Sequence, residues 1–327
     1  MKMRFLGKTS VQVSELCFGT MSFGGPSLMQ TFGGVGQKEA DVLVNMAIDS
    51  GINFFDTAEN YSEGLSEEIL GKALGARRKS IILTTKVGSS QGPDGGLSRR
   101  RIIETCNASL KRLGTDYIDL YLVHNFDSRT PLEETLRALN NLVQQGKVRY
   151  IGCSNYTGWQ LMKALAISDK HDWERFVALQ ADYSLVVRDL EYELVPLCLD
   201  QGLGVLTWSS LAGGFLTGEY RHGQPRPEGT KFFGFDEQKG YAILEELERI
   251  AEAHNATVAQ AALNYLLRKP GVTSVLSGMK TPEQLADNIK ATEWELTQEE
   301  ATRLDAVSEP APFYPYWFQA PGWTPFA

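Results

Sequence analysis

Residues 51–74 read GINFFDTAENYSEGLSEEILGKAL. An apolar run through Phe54 and Phe55 stops on the carboxylate of Asp56. A polar connection carrying Tyr61 follows, then the break Ser62-Glu63-Gly64 and a stretch of helical period. Seven further runs resemble the first: ELCFGT at 15–20, SIILTTKV at 80–87, YIDLYLVH at 117–124, VRYIGCS at 148–154, FVALQ at 176–180, GVLTWS at 204–209 and TSVLSG at 273–278. They are short, rich in β-branched and aromatic residues, and continuous rather than alternating, as suits parallel strands covered on both faces. A helical or partly helical stretch follows each one, and eight such units in 327 residues predict a closed (β/α)8 barrel, an α/β TIM-barrel fold.

The whole chain, 1–327, reads as a single barrel domain. Residues 3–13, MRFLGKTSVQV, predict a hairpin ahead of the barrel, and an extra C-terminal helix leads into an aromatic tail at 308–327. That tail either covers the barrel mouth or packs on another subunit. The rival open sheet carries GxGxxG after its first strand; residues 202–207, Gly-Leu-Gly-Val-Leu-Thr, lack the last glycine and lie in a strand.

Helix signals support the alternation. Thr130-Pro131 predicts an N-cap and first turn, with Glu133 and Glu134 behind it and a stripe of Leu132, Leu136, Leu139 and Val143 closed by Gly146. Ser98 caps the stretch carrying Ile102, Cys106, Leu110 and Leu113. Thr281–Gln284 and Thr297–Glu300 read as capping boxes. Pro196 either kinks a helix over 190–200 or marks its start.

A net charge of −8 argues against nucleic acid, which needs a basic stripe. Cys17, Cys106, Cys153 and Cys198 form no CxxC and read as buried thiols in a reducing cytoplasm. His171, His222 and His254 show no metal spacing and read as surface or packing residues. The uncharged stretch 16–37 is too rich in glycine and hydroxyls to span a membrane, and the start MKMRFLGKTS has no apolar segment behind it. Three long connections, 21–38, 88–97 and 213–240, fall at C-terminal strand ends, where barrel enzymes build their sites.

Those ends also carry the polar groups. Asp56 ends the second strand, Lys86 the third and His124 the fourth, while Tyr61 lies in the loop after Asp56. A tyrosine with a pKa near ~10 is a poor acid at neutrality. A lysine cation beside it, held charged by a carboxylate, is expected to lower that value toward the working pH. Neutral His124 can donate to a substrate oxygen.

In order and context these four residues resemble the tetrad of the aldo-keto reductases, in the branch related to potassium-channel β subunits and bacterial members. The segment 51–74 is similar to the family signature around its Asp and Tyr, LTTKVG to its lysine strand, and RLGTDYIDLYLVH to its histidine strand; the likeness runs from about residue 4 to 307. It implies NADPH-dependent reduction of an aldehyde or ketone to an alcohol, with Tyr61 as proton donor, Lys86 and Asp56 tuning it, and Tyr61, His124 and Asn125 meeting the substrate. It also implies a cofactor site. IGCSNY and LQADYS would hold the carboxamide through Ser154, Asn155 and Gln180. LTWSSLAGGFLTGEY would place Trp208 on the nicotinamide and Ser209, Leu211 and Gly213 near the pyrophosphate. SGMKTPEQLADN would meet the adenosine phosphate through Gly278, Lys280, Gln284, Asp287 and Asn288, and Gly19, Thr20, Met21 and Asp56 complete the set. Lys280 favours NADPH over NADH. Trp208 and Ser210 stand where many members have Tyr and Pro, and Gln284 where some have Arg. Phe23, Phe32, Phe126 and Trp317 suggest a partly apolar substrate pocket.

The expected partners are a small carbonyl compound and, as an open choice, further copies of the chain; neither nucleic acid nor a membrane is expected. Arg188 is read as structuring its loop. Two other functions compete: an NADP(H)-holding sensor with little turnover, and a Schiff-base aldolase using Lys86.

Overall fold

The computed structural model describes residues 1–25, 34–88, 96–220 and 234–319. Two short strands, β1 (Met3–Phe5) and β2 (Gln12–Ser14), pair antiparallel as the expected hairpin. Eight more strands follow: β3 (Leu16–Gly19), β4 (Phe54–Asp56), β5 (Ile82–Val87), β6 (Ile118–Val123), β7 (Val148–Ser154), β8 (Phe176–Asp182), β9 (Gly204–Trp208) and β10 (Val272–Gly278). They close into one barrel in chain order, β10 returning to β3, and every pair is parallel. All eight apolar runs are therefore the barrel strands.

The helices are α1 (Gln37–Asp49), α2 (Leu65–Leu74), α3 (Arg99–Leu113), α4 (Leu132–Gln144), α5 (Gly158–His171), α6 (Leu194–Gln201), α7 (Glu237–His254), α8 (Val258–Leu267), α9 (Pro282–Lys290), α10 (Gln298–Ser308) and the short α11 (Tyr316–Gln319). Outward strand residues such as Val87, Tyr121 and Val123 pack with Ile102, Cys106, Leu136 and Leu139 of the helix layer. The barrel interior holds Cys17, Phe54, Leu120, Leu122, Ala178, Leu206 and Leu276, and the hairpin's Leu6 and Val13 complete that cluster. Leu6 and Val13 are fully buried, so the hairpin seals the N-terminal end. All four cysteines are free and buried.

Several start signals form as expected. The Ser98 hydroxyl accepts from the Arg101 N–H, and Thr297 with Glu300 makes a full capping box. Two do not. Helix α4 begins with Pro131 at the cap, because the Thr130 hydroxyl donates to Asp127 Oδ2 at 2.7 Å instead. At Thr281 only half the box forms: its hydroxyl accepts from Gln284 N, while Gln284 Oε1 accepts from Lys280 N at 2.8 Å. Pro196 lies in the first turn of α6, where its missing N–H leaves no bond unmade.

The β9–β10 connection carries two helices, α7 and α8, and Arg303 of α10 binds Glu246 of α7 at 2.7 Å. Arg188 is buried; it forks onto Glu191 at 2.8 and 2.9 Å and reaches Ser308 of α10 at 2.7 Å, which fits a loop-structuring role. The described part of the tail folds beside it, with Phe313 and Tyr316 against the Tyr192 ring at 4.8 Å centroid separation. The rest of the tail at 320–327, Phe32, His222, and parts of the long connections at 26–33, 89–95 and 221–233 lie outside the described residues.

Helix α2 hangs from the loop that carries Tyr61, so the seating of the helix sets the position of that loop. Glu67, fully buried, accepts from Thr85 of β5 at 2.6 Å and pairs with Arg112 of α3 at 2.6 Å. At Gly71 the helices touch backbone to backbone: a Cβ there would sit 2.5 Å from the Leu113 carbonyl oxygen. Alanine improves an open helix site. Here Gly71→Ala is expected to destabilise the protein by about 1–3 kcal/mol through overpacking, read as a lower urea midpoint at unchanged m-value.

Candidate active site

Strands β4, β5 and β6 are neighbours, so Asp56, Lys86 and His124 arrive at one rim. The Lys86 side chain is 0% exposed and that of Asp56 3%. A buried ammonium needs all three of its N–H bonds satisfied. Lys86 Nζ donates to Asp56 Oδ1 at 2.5 Å, to the Thr57 carbonyl at 2.9 Å and to Tyr61 Oη at 3.2 Å. Tyr61 Oη is thus an acceptor from below, and its own O–H is left to donate elsewhere. The second Asp56 oxygen, Oδ2, accepts from Gln180 Nε2 at 2.8 Å across the barrel.

The His124 ring meets Tyr61 edge-on, 6.0 Å between centroids, with its Nδ1 buried and unpartnered. Burial, helped by the Lys86 cation, lowers its pKa to about 3, so the ring is neutral at pH 7. Lys86 stays a cation. Burial is the largest influence and works against its charge, but Asp56 and Tyr61 together raise its pKa. Tyr61 departs from expectation. Burial raises the phenol pKa and outweighs the lowering by Lys86, with Asp56 adding a further rise. In this geometry Tyr61 is a protonated phenol held in place, not a phenol with a lowered pKa.

The loop that presents Tyr61 is pinned along its length. Glu59 accepts from Gly88 N at 2.8 Å and from Arg101 at 2.6 Å. The Ser62 hydroxyl donates to the Phe23 carbonyl at 2.9 Å. Ser62, Glu63 and Gly64 turn left-handed in succession, with φ of 48°, 58° and 92°. Glycine takes the last of these without strain. Thr20, Thr57 and Ser66 form a buried hydroxyl cluster beneath, and Thr20 also donates to the Asp56 carbonyl at 3.0 Å. Glu59, Ser62, Ser66 and Arg101 are absent from the residues expected at the site; the break Ser62-Glu63-Gly64 signals the turn, and nothing in the sequence signals Arg101.

A second group lines the next strand ends. Ser154 is buried with its hydroxyl unpartnered. Asn155, in a left-handed conformation at φ 57°, donates to the His124 carbonyl at 3.0 Å and to Asn125 Oδ1 at 3.3 Å, and accepts from Trp208 Nε1 at 3.1 Å. One amide thus links β6, β7 and β9. After Trp208 the backbone is left-handed at Ser209, Ala212, Gly213 and Gly214, with Leu211 between them. Ser210 turns inward to the Leu276 carbonyl at 2.9 Å.

The remaining predicted residues lie at the β10–β3 side. Gly19 pairs with Gly278, and Met21 is exposed. Lys280 and Gln284 meet at the start of α9. The side chains of Thr20, Asp287 and Asn288 are engaged within the protein: Asp287 holds Thr257 and Gln260, both at 2.7 Å, and Asn288 holds Ser277 at 2.8 Å. His254 pairs with Glu300 and stacks on Trp294, and His171 stacks on Trp173. Among the described residues no His, Cys, Asp and Glu cluster could hold a metal, and no helix is long and apolar enough to cross a membrane.

Residues 15–309 match the sequence profile of the Aldo/keto reductase family. An uncharacterized oxidoreductase of Bacillus subtilis (strain 168), YrpG, is 39% identical over 94% of this chain and 96% of its own. A probable voltage-gated potassium channel subunit beta of Arabidopsis thaliana is 37% identical over 89% of this chain and 91% of its own. A probable subunit of the same description from Oryza sativa subsp. japonica is 35% identical over 95% and 98%.

The neutrality of His124 is directly testable. Between pH 8 and pH 5 its ring nitrogens are expected to keep a neutral-imidazole NMR signature, assigned by loss of the signal in His124→Gln. The unfolded ring takes up a proton below its ordinary value of 6.5 while the folded ring does not. His124 therefore costs stability progressively as pH falls from 6.5 toward 3, and the His124→Gln variant is expected to lose less stability over that span.

Proposed function

This chain belongs to the aldo/keto reductase family, and from that premise we propose that it reduces an aldehyde or ketone to the alcohol at the expense of NADPH. The observation that carries the reading is the threefold hydrogen bonding of Lys86. It fixes Tyr61 Oη from the protein side, so the phenolic proton is directed to a bound molecule.

The residues fit a nicotinamide dinucleotide. A carboxamide carries both donors and an acceptor. The unpartnered Ser154 hydroxyl and the Gln180 Oε1, which no described residue engages, complement it. Trp208 offers an aromatic face. The left-handed turn over Ser209–Gly214 has the backbone form that cradles phosphate oxygens. The start of α9 adds a helix N-terminus beside Lys280, which favours the 2′-phosphorylated cofactor. A bound reduced nicotinamide supplies the hydride that reaches the carbonyl carbon.

The chain's own residues do the rest. Tyr61 gives its proton to the carbonyl oxygen as charge develops there. Lys86, held charged by Asp56, stabilises the phenolate that remains. Neutral His124 donates to the same oxygen and orients it, with Asn125 alongside. Solvent protons then restore Tyr61. A Schiff-base role for Lys86 fits poorly, since its amine is a cation in a saturated hydrogen-bond set and nucleophilic attack needs the neutral amine. We take the whole chain as one barrel domain acting on a small carbonyl compound in the cytoplasm.

A second reading is favoured by the two channel-subunit relatives: a barrel that holds NADP(H) as a sensor and turns over little. Cofactor consumption, NADPH beside NADH, over a panel of aldehydes, ketones and sugars separates the two. The reductase reading expects NADPH to be preferred. It also expects Tyr61→Phe to lower kcat by about 10²–10⁴ with the cofactor Kd unchanged. Tight cofactor retention with no turnover across the panel would favour the sensor.

A further inference from the structure

Gln180 adjoins both the acid machinery and the residues predicted to hold the cofactor, pairing with Ser154 in the sheet. It lies on β8, on the side of the barrel away from Lys86, yet its Nε2 reaches Asp56 Oδ2 at 2.8 Å. Both residues are 2% exposed. The orientation of the amide follows from chemistry: a carboxylate accepts, so the NH2 end faces Asp56 and the Oε1 end is left to accept from another donor. One planar group thus touches the carboxylate beneath the acid and presents its other end where the carboxamide would bind.

We propose that Gln180 is a positioning residue for the acid machinery, fixing the Asp56 carboxylate so that its other oxygen stays on Lys86 beneath Tyr61, and that cofactor binding is coupled to proton donation through its amide. The proposal rests on the reductase reading for its consequence in turnover, but not for the Asp56 contact itself. A buried carboxylate oxygen stripped of its donor is left unsatisfied, and the carboxylate loses the contact that fixes its rotation. Among the described residues, few titratable or charged groups face Asp56. Lys86 comes from β5, Tyr61 from the loop, Gln180 from β8 and the buried thiol of Cys17 from β3, whose pKa burial pushes up so that it stays neutral. Gln180 is the one neutral donor among them that bonds directly to the carboxylate.

Two variants test this, Gln180→Leu and Gln180→Glu, each checked for a native circular-dichroism spectrum. The first removes the donor. The second keeps the shape and restores a donor only while its carboxyl is protonated, so two acids share one proton against Asp56 Oδ2. In 15N NMR, the Lys86 ammonium signal, assigned by its loss in Lys86→Met, is expected to shift in Gln180→Leu relative to wild type, since that ammonium is bonded to the carboxylate Gln180 holds. At saturating NADPH, kcat is expected to fall about tenfold or more. Gln180→Glu is expected to retain activity at acid pH and lose it as pH rises through a span where wild type is flat. A rise in cofactor Kd alone, with the Lys86 signal, kcat and pH profile unmoved in both variants, would overturn the proposal. If wild type turns over no carbonyl while the Lys86 signal still moves in Gln180→Leu, the positioning role stands and the reductase reading fails instead.

Discussion

The buried pair of Lys86 and Asp56 is the constraint around which this molecule is arranged. Removing both charges from water is costly, and their mutual attraction offsets the cost only if the remaining hydrogen-bonding capacity is used. That condition is met group by group. The three ammonium protons go to a carboxylate, a backbone carbonyl and a phenol; the carboxylate's other oxygen goes to an amide from the far side of the barrel. Asp56, Thr57 and Tyr61 come from β4 and the loop after it, Lys86 from β5 and Gln180 from β8, so the pair requires these segments to be in register at once.

The barrel divides its labour along its axis. The N-terminal end is given to closure: Leu6 and Val13 fill it, and Arg4 ties the hairpin to Glu15 at 2.9 Å and to carbonyls at Leu267 and Val272. The C-terminal end carries the buried polar cluster. There the backbone departs from ordinary conformations at Ser62, Glu63, Asn155, Ser209 and Ala212. Such positions cost free energy and persist only where the surroundings hold them, as the cross-bonding of Glu59, Ser62 and Asn155 does here.

Much of this is legible in the sequence because it is local or periodic. Eight continuous apolar runs become eight strands, and three of their ends deliver Asp56, Lys86 and His124 to one rim by neighbour order alone. Family likeness, not spacing, assigns Ser154, Gln180 and the residues after β9 to a cofactor. What escapes is long-range. Nothing near Glu59 in sequence announces Arg101, and 124 residues separate Gln180 from Asp56. Thr130 has the look of a cap because Asp127's demand for donors is invisible until the loop is folded. The Tyr61 pKa runs opposite to expectation because the lysine is readable in the sequence, whereas the burial that opposes it is a property of the closed barrel.

Ring closure has a consequence for how the protein is made. Strand β3 pairs with β4 on one side and with β10 on the other, and the Ser274 hydroxyl binds the Ser14 carbonyl across 260 residues. A chain emerging from the ribosome therefore carries an unmated strand edge from β3 until β10 is made. Every intermediate length is an open sheet that invites the wrong neighbour. Closure of the ring by β10 removes that edge, so the last strand made also completes the protection of the first.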